Sequence, residues 1–358
     1  VLDVGSQVRS FLPRTRRFAL VLGCTVALVG VGAVGVGIGS SAAAATSKKL
    51  TAANWDSAQQ QLVVGDALMS EVPGAGFAGA APLSAQAEST ALAAIATREE
   101  VAPIVFQTNV SITLVRFDAL LVDQLGLGDV AEHVQQVAVA AGLTPPSYFG
   151  SEVVARYLGL RYNHPAGEDS LELYPWNAIT RAEAAHSFAV VLGLESWTLS
   201  SAREVLDGFS LPQYTYAQRE VLRIAVSKIG MPYVWGGTTD NTADGLEHGG
   251  YDCSGFAWRV YKVSGLPWGK SILGRTAAEQ AGEIPKSSRI HLEDVQPADL
   301  LFFGSASFDA TATESNVIHE GIALSNQWAI HSSEQGVYVL PLTSGWLAES
   351  FTWARRVL

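Results

Sequence analysis

Pro232-Tyr233-Val234-Trp235-Gly236-Gly237, followed by Tyr251-Asp252-Cys253-Ser254-Gly255-Phe256, is the stretch on which the chain turns. Gly249 and Gly250 precede the cysteine, and an amphipathic run from Phe256 to Val263 follows it. A loop feeding a helix has this pattern. It would set the Cys253 sulfur at a helix N-terminus, where unpaired N–H groups and the positive end of the dipole favour a thiolate over a thiol. A nucleophilic thiolate needs a base, and the base needs an orienter. Two downstream histidines suit those roles: His319 in Val317-Ile318-His319-Glu320-Gly321-Ile322, and His331 in Ala329-Ile330-His331-Ser332.

Working outward, Gln218 to Ile229 has helical periodicity, with Val221, Leu222, Ala225 and Ile229 on one face. Gly230-Met231-Pro232 ends it. After the cysteine helix and a short helix at 275–281 come strand-like runs at 299–303, 320–324, 328–332, 337–342 and 351–357. Helices first and an antiparallel sheet after predict an α+β arrangement. His319 and His331 fall on neighbouring strands, which can align two imidazoles so that one hydrogen-bonds the far nitrogen of the other. His331 would then fix the tautomer of His319, as the third member does in Ser/Cys–His triads. Tyr233 reads either as a packed aromatic or as a hydroxyl donor, and Asp252 as a helix cap. His133, His164, His186, His248 and His291 lie outside this pattern and read as surface, core or turn residues. Cys253, His319 and His331 form a poor zinc set, with a single thiolate and no short-spaced ligand pair. No metal or other cofactor is expected.

These motifs, with Pro297-Ala298-Asp299-Leu300-Leu301-Phe302-Phe303 between them and His319-Glu320-Gly321-Ile322-Ala323-Leu324 after, stand in the order found in the NlpC/P60 family. Those are papain-like cysteine peptidases of the bacterial cell wall. The segment from about residue 214 to 358 resembles them. The resemblance implies a papain-like α+β domain over 213–358, in which helices pack on an antiparallel sheet. It implies cleavage of amide bonds in peptidoglycan stem peptides, between D-glutamate and the diamino acid. Cys253 would attack, His319 would move the proton, His331 would orient His319, and Tyr233 would donate to the oxyanion. Asp252 and Ser254 would hold polar substrate groups such as a free amine. A catalytically silent wall-binding scaffold, or an amidase or acyltransferase on the same fold, is the alternative. Two positions depart from the pattern: Glu320 replaces a small apolar residue, and Ala298 replaces the usual glycine. The stretches 238–250 and 305–316 are longer than usual, and are expected to reshape the groove rather than touch the triad.

The rest of the chain bounds the setting. The 358 residues allow two or three domains, and the formal net charge is −11. An acidic chain does not suit non-specific nucleic-acid binding, nor bulk attraction to an anionic envelope. Residues 1–45 read as a signal peptide: Arg14, Arg16 and Arg17, then an apolar run, then Ser40-Ser41-Ala42-Ala43-Ala44-Ala45. A secreted or wall-associated protein follows; the alternative is an uncleaved membrane anchor, since the apolar run is long enough to span. Cys24 lies in that run, so its removal would leave Cys253 as the one thiol, unable to form an internal disulfide. Residues 46–105 are rich in Ala, Ser and Gln and read as a linker or helical spacer. Over 106–212, Ile112-Thr113 and Ile179-Thr180 begin two similar helical patterns. Ile179-Thr180-Arg181-Ala182-Glu183-Ala184 resembles the S-layer homology module, which implies docking on secondary wall polymers. Thr180 and Glu183 also have capping-box spacing, so Arg181 and Glu183 read equally as a solvated helix start.

Overall fold

The computed structural model describes residues 51, 55–98, 102–104, 112–165, 167–242 and 245–358. The expected signal peptide lies outside them. Five strands build the sheet under the C-terminal half: β3 (Leu300–Gly304), β4 (Val317–Ala323), β5 (Trp328–Ser333), β6 (Gly336–Pro341) and β7 (Phe351–Arg355). All neighbours are antiparallel, in the order β6-β5-β4-β3-β7. A two-residue ladder, β1 (Thr238–Thr239) with β2 (Gly250–Tyr251), lies just before the cysteine. The helices α8 (Tyr216–Val226), α9 (Cys253–Val263) and α10 (Ala277–Gly282) precede the sheet, and α11 (Gly345–Ser350) is inserted between β6 and β7. This is the α+β order expected.

Side chains alternate across the strands. Leu300, Phe302, Ile322 and Ile330 join Phe256 and Val260 of α9 in the main core. Each such fully buried side chain contributes about 1.5–3 kcal/mol. Leu301, Phe303, Ala323 and Ala329 turn to the opposite face, where Leu347 of α11 covers them.

The N-terminal half is helical: α1 (Ser57–Gly65), α2 (Ala85–Arg98), α3 (Leu114–Gln124), α4 (Gly128–Ala140), α5 (Phe149–Tyr157), α6 (Arg181–Gly193) and α7 (Ser196–Asp207). The two similar patterns do the same local work. Thr113 caps α3 through the Arg116 N–H, and Thr180 caps α6 through the Glu183 N–H. Their approach segments pair with each other, with the Ile179 N–H donating to Ile112 O at 3.0 Å. The stretch expected to be a spacer contributes core residues, among them Val63, Leu68, Leu92 and Ile95.

The helix start at Arg181 is not solvated. Arg181 is 6% exposed and ties the 70–77 loop to α6, donating to Ser70 O (2.6 Å) and Phe77 O (2.8 Å). Glu183 does not complete a capping box. Its carboxyl turns inward, 3.3 Å from His164 and 3.8 Å from Arg161. Burial raises Glu183 to about 7 and lowers His164. Tertiary packing has converted a surface-looking motif into a buried polar cluster.

One backbone position in the sheet domain is strained. Ala298, where the resembled family has glycine, has φ +68° and is buried. Its carbonyl accepts the Tyr261 hydroxyl, which ties this turn to α9. A Cβ in the left-handed region costs about 1–2 kcal/mol. Ala298→Gly is therefore expected to stabilise the protein by about 1 kcal/mol, net of the added chain entropy. The check is a higher urea midpoint at unchanged slope; an unchanged or lower midpoint rejects it.

Candidate active site

Cys253 is the first residue of α9, and Asp252 is its N-cap, accepting the Gly255 N–H at 2.6 Å. Glycine is needed at 255 because a Cβ there would meet Gly237 O at 2.1 Å. The Gly236-Gly237 turn and the cysteine helix can thus press together, and the Asp252 N–H reaches Gly237 O. Asp252 also accepts the Gly236 N–H (2.9 Å) and two guanidinium contacts from Arg275 (2.6 and 3.0 Å). Ser254 is 4% exposed and donates to Arg275 O at 2.8 Å. Both expected substrate-contact residues therefore already engage Arg275, whose side chain remains 41% exposed.

The histidine pair forms as the strands predict. Gly321 stands opposite His331 in the β4–β5 ladder, so His319 is its diagonal neighbour on the same face. The missing side chain at Gly321, where a Cβ would lie 3.1 Å from His331 Cβ, leaves the diagonal open. His319 Nε2 meets His331 Nδ1 at 2.9 Å, with the rings nearly perpendicular. If His319 donates from Nε2, its Nδ1 is left as the proton acceptor, and His331 carries its own proton on Nε2. Trp346 of α11 stands edge-on to His319 at 5.4 Å between centroids, and Phe303 lies at 5.8 Å. These rings wall the pair from solvent: His319 is 7% exposed and His331 2%. Burial, with His331 adding to it, lowers His319 to about 3, and burial lowers His331 to about 3. Both imidazoles are neutral at ordinary pH.

The sulfur sits against the same strand. The nearby backbone N–H groups of Ser254 and Glu320 favour the thiolate. Burial, with the charge of Asp252 adding to it, outweighs them and pushes the thiol up to about 12. Burial thus works against the thiolate that the helix N-terminus favours. Glu320 itself is fully buried on the strand face opposite His319, and burial holds its carboxyl well above the usual range.

Tyr233 lies half-buried on the strap that follows α8. Gly230 and Met231 pair with Val337 of β6, and Pro232 and Val234 pair with Tyr251. Burial raises the Tyr233 hydroxyl, with the Cys253 and Asp252 charges adding to it. Trp235 is 71% exposed. His248 packs on Tyr174 at 4.1 Å, and its Nδ1 faces Gly249 O. Sequence reading missed Arg275, Trp346 and Asn163, whose Oδ1 accepts the Tyr233 N–H at 2.8 Å. The run Arg275-Thr276-Ala277-Ala278-Glu279, with its capping box, signals the helix but not the contact to Asp252.

The site thus sets a thiol at the start of α9 and a hydrogen-bonded pair of neutral imidazoles on two neighbouring strands of the sheet that α9 packs against. A bifunctional muramidase/DL-endopeptidase, CwlT, of Bacillus subtilis is 31% identical over 126 residues, covering 35% of this chain and 32% of that protein. A gamma-D-glutamyl-L-lysine dipeptidyl-peptidase of Bacillus cereus is 27% identical over 146 residues, covering 40% of this chain and 38% of that protein. The chain thus spans about a third of the length of the curated relatives it matches. A solved NlpC/P60 family protein from Bacillus cereus covers 42% of each chain at 26% identity, with a TM-score of 0.31. The NlpC/P60 family model matches from Gly230 to Arg356, which takes in the strap, the cysteine helix and all five strands, so residues 230–356 are an NlpC/P60 family domain.

Proposed function

We propose that this protein is an exported peptidoglycan hydrolase, a cysteine peptidase that cleaves stem-peptide amide bonds between D-glutamate and the diamino acid. The observation that carries the reading is the His319–His331 pair at 2.9 Å, on neighbouring strands of the sheet that packs against the helix begun by Cys253. The family domain and the naming of relatives as DL-endopeptidase and gamma-D-glutamyl-L-lysine peptidase support the choice of bond.

In this reading Cys253 attacks the amide carbonyl while His319 Nδ1 takes the thiol proton. The oxyanion receives hydrogen bonds from the Tyr233 hydroxyl and the Cys253 N–H. His319 returns the proton to the leaving amine, which leaves a thioester. Water then attacks the thioester, gives a proton to His319, and the thiol is restored. His331 keeps Nε2 of His319 occupied throughout. Asp252 and Ser254 meet polar substrate groups together with the exposed part of Arg275. Arg181 and Glu183, the positions that suggested docking on secondary wall polymers, are buried among the helices. We therefore place substrate contact in the peptidase groove.

The test is mass spectrometry of purified peptidoglycan after incubation with residues 46–358, with Cys253→Ala as the control. New D-glutamate carboxyl ends and diamino-acid amine ends that vanish in the control are the expected result. Wall binding without new ends would instead favour the scaffold reading.

A further inference from the structure

The catalytic loops are anchored from outside residues 230–356. Asn163, in the segment after α5, accepts the Tyr233 N–H at Oδ1 (2.8 Å). Its own N–H donates to Glu334 O (2.8 Å), in the turn that follows the His331 strand. Its Nδ2 donates to His164 O at 3.1 Å, which fixes the amide orientation. Two further bonds run the same way. Arg156 donates to Gly230 O (3.3 Å), and the Tyr174 hydroxyl accepts the Gly249 N–H (3.1 Å), four residues before Cys253.

Packing alone does not hold the strap here. Behind it lies a polar cavity of about 20 Å³, lined by Gly230, Pro232, Asn163, Arg161 and Glu183 among others. That is room for about one water rather than for an apolar side chain. Pro232 and Val234 are tied to Tyr251, but the peptide N–H of Tyr233 itself goes to Asn163. The Tyr233 peptide itself is therefore held by a directional bond from the helical region.

We propose that Asn163 is a positioning residue of the peptidase site: it fixes the Tyr233 peptide so that the Tyr233 hydroxyl stands beside Cys253. Its kinetic consequence rests on the reading of Tyr233 as an oxyanion donor; its structural consequence does not. Both are testable in the full chain.

With 3-fluorotyrosine placed at position 233, the fluorine NMR spectrum reports the ring environment without turnover. A single resonance is expected, shifted or broadened by Asn163→Ala and restored by Asn163→Asp, which keeps the acceptor oxygen. An unchanged spectrum in Asn163→Ala overturns the proposal, whatever the chain hydrolyses. Asn163→Ser, too short to reach the Tyr233 N–H, takes the alanine variant's place if that variant does not fold.

Against peptidoglycan fragments, Asn163→Ala is expected to lower kcat about tenfold with KM within about twofold. In a Tyr233→Phe background the same substitution should cost less than about twofold, because the hydroxyl it positions is gone. Equal losses in both backgrounds overturn the proposal. A wild-type chain that releases no fragments while the fluorine result holds would reject the hydrolase reading and leave the positioning role standing.

Discussion

His319→Ala is expected to slow cleavage about 10³–10⁴-fold, near the upper end of what one positioned acid–base group supplies. The site offers the thiol proton no second acceptor of the right kind. His331 is 2% exposed and lies behind His319, with its Nδ1 turned to that ring. His248 is occupied at Gly249 O and Tyr174. His331→Ala should cost less, about 10–100-fold, because it loosens the orientation of His319 without removing the base. His331→Asn should recover most of that loss, since an amide oxygen can accept the Nε2 proton where Nδ1 now does. Steady-state rates on a stem-peptide substrate decide it. A rate for His319→Ala within tenfold of wild type would show that another group takes the proton.

Much of this site was legible because its parts are local. The Asp252 cap, the cysteine at the start of α9, and two histidines on adjacent strands each follow from short patterns. Antiparallel pairing then brings the imidazoles together, and Gly321 clears the diagonal between them. The five strands were legible for the same reason, since alternating burial survives any detail of packing. What escaped depends on contacts between distant segments. Nothing around Arg275 announces that it will bind Asp252, 23 residues away. Asn163 lies 70 residues from Tyr233 and has no motif of its own. Arg181 and Glu183 read as a solvated helix start, because a sequence shows charges without showing what will cover them. The setting of the thiol is a further case. A helix N-terminus is visible in sequence, whereas the burial that overrides it is a property of the assembled site.

That reversal gives the second large effect. With the thiol pushed up to about 12, the thiolate fraction should rise tenfold with each pH unit across the whole neutral range. Alkylation of Cys253 by iodoacetamide should therefore accelerate about 10³-fold from pH 6 to pH 9, with no plateau. A resting thiolate–imidazolium pair would give the opposite, a rate nearly flat over those three units. The two states also differ at the acid end. His319 stays neutral until about pH 3, so the acid limb of kcat/KM should not appear near the ordinary imidazole value of 6.5. Stability behaves separately. Both histidines are depressed in the fold, so their contribution is present above pH 6.5 and is lost as pH falls toward 3, where the unfolded chain binds the extra protons. The alkylation series lies within pH 6–9, almost wholly above that window, and peptide mapping separates Cys253 from Cys24. A plateau would mean that the Ser254 and Glu320 N–H groups and the helix terminus outweigh burial. A slope of one would place the cost of making the thiolate in the reaction step, where His319 takes the proton as the bond to carbon forms.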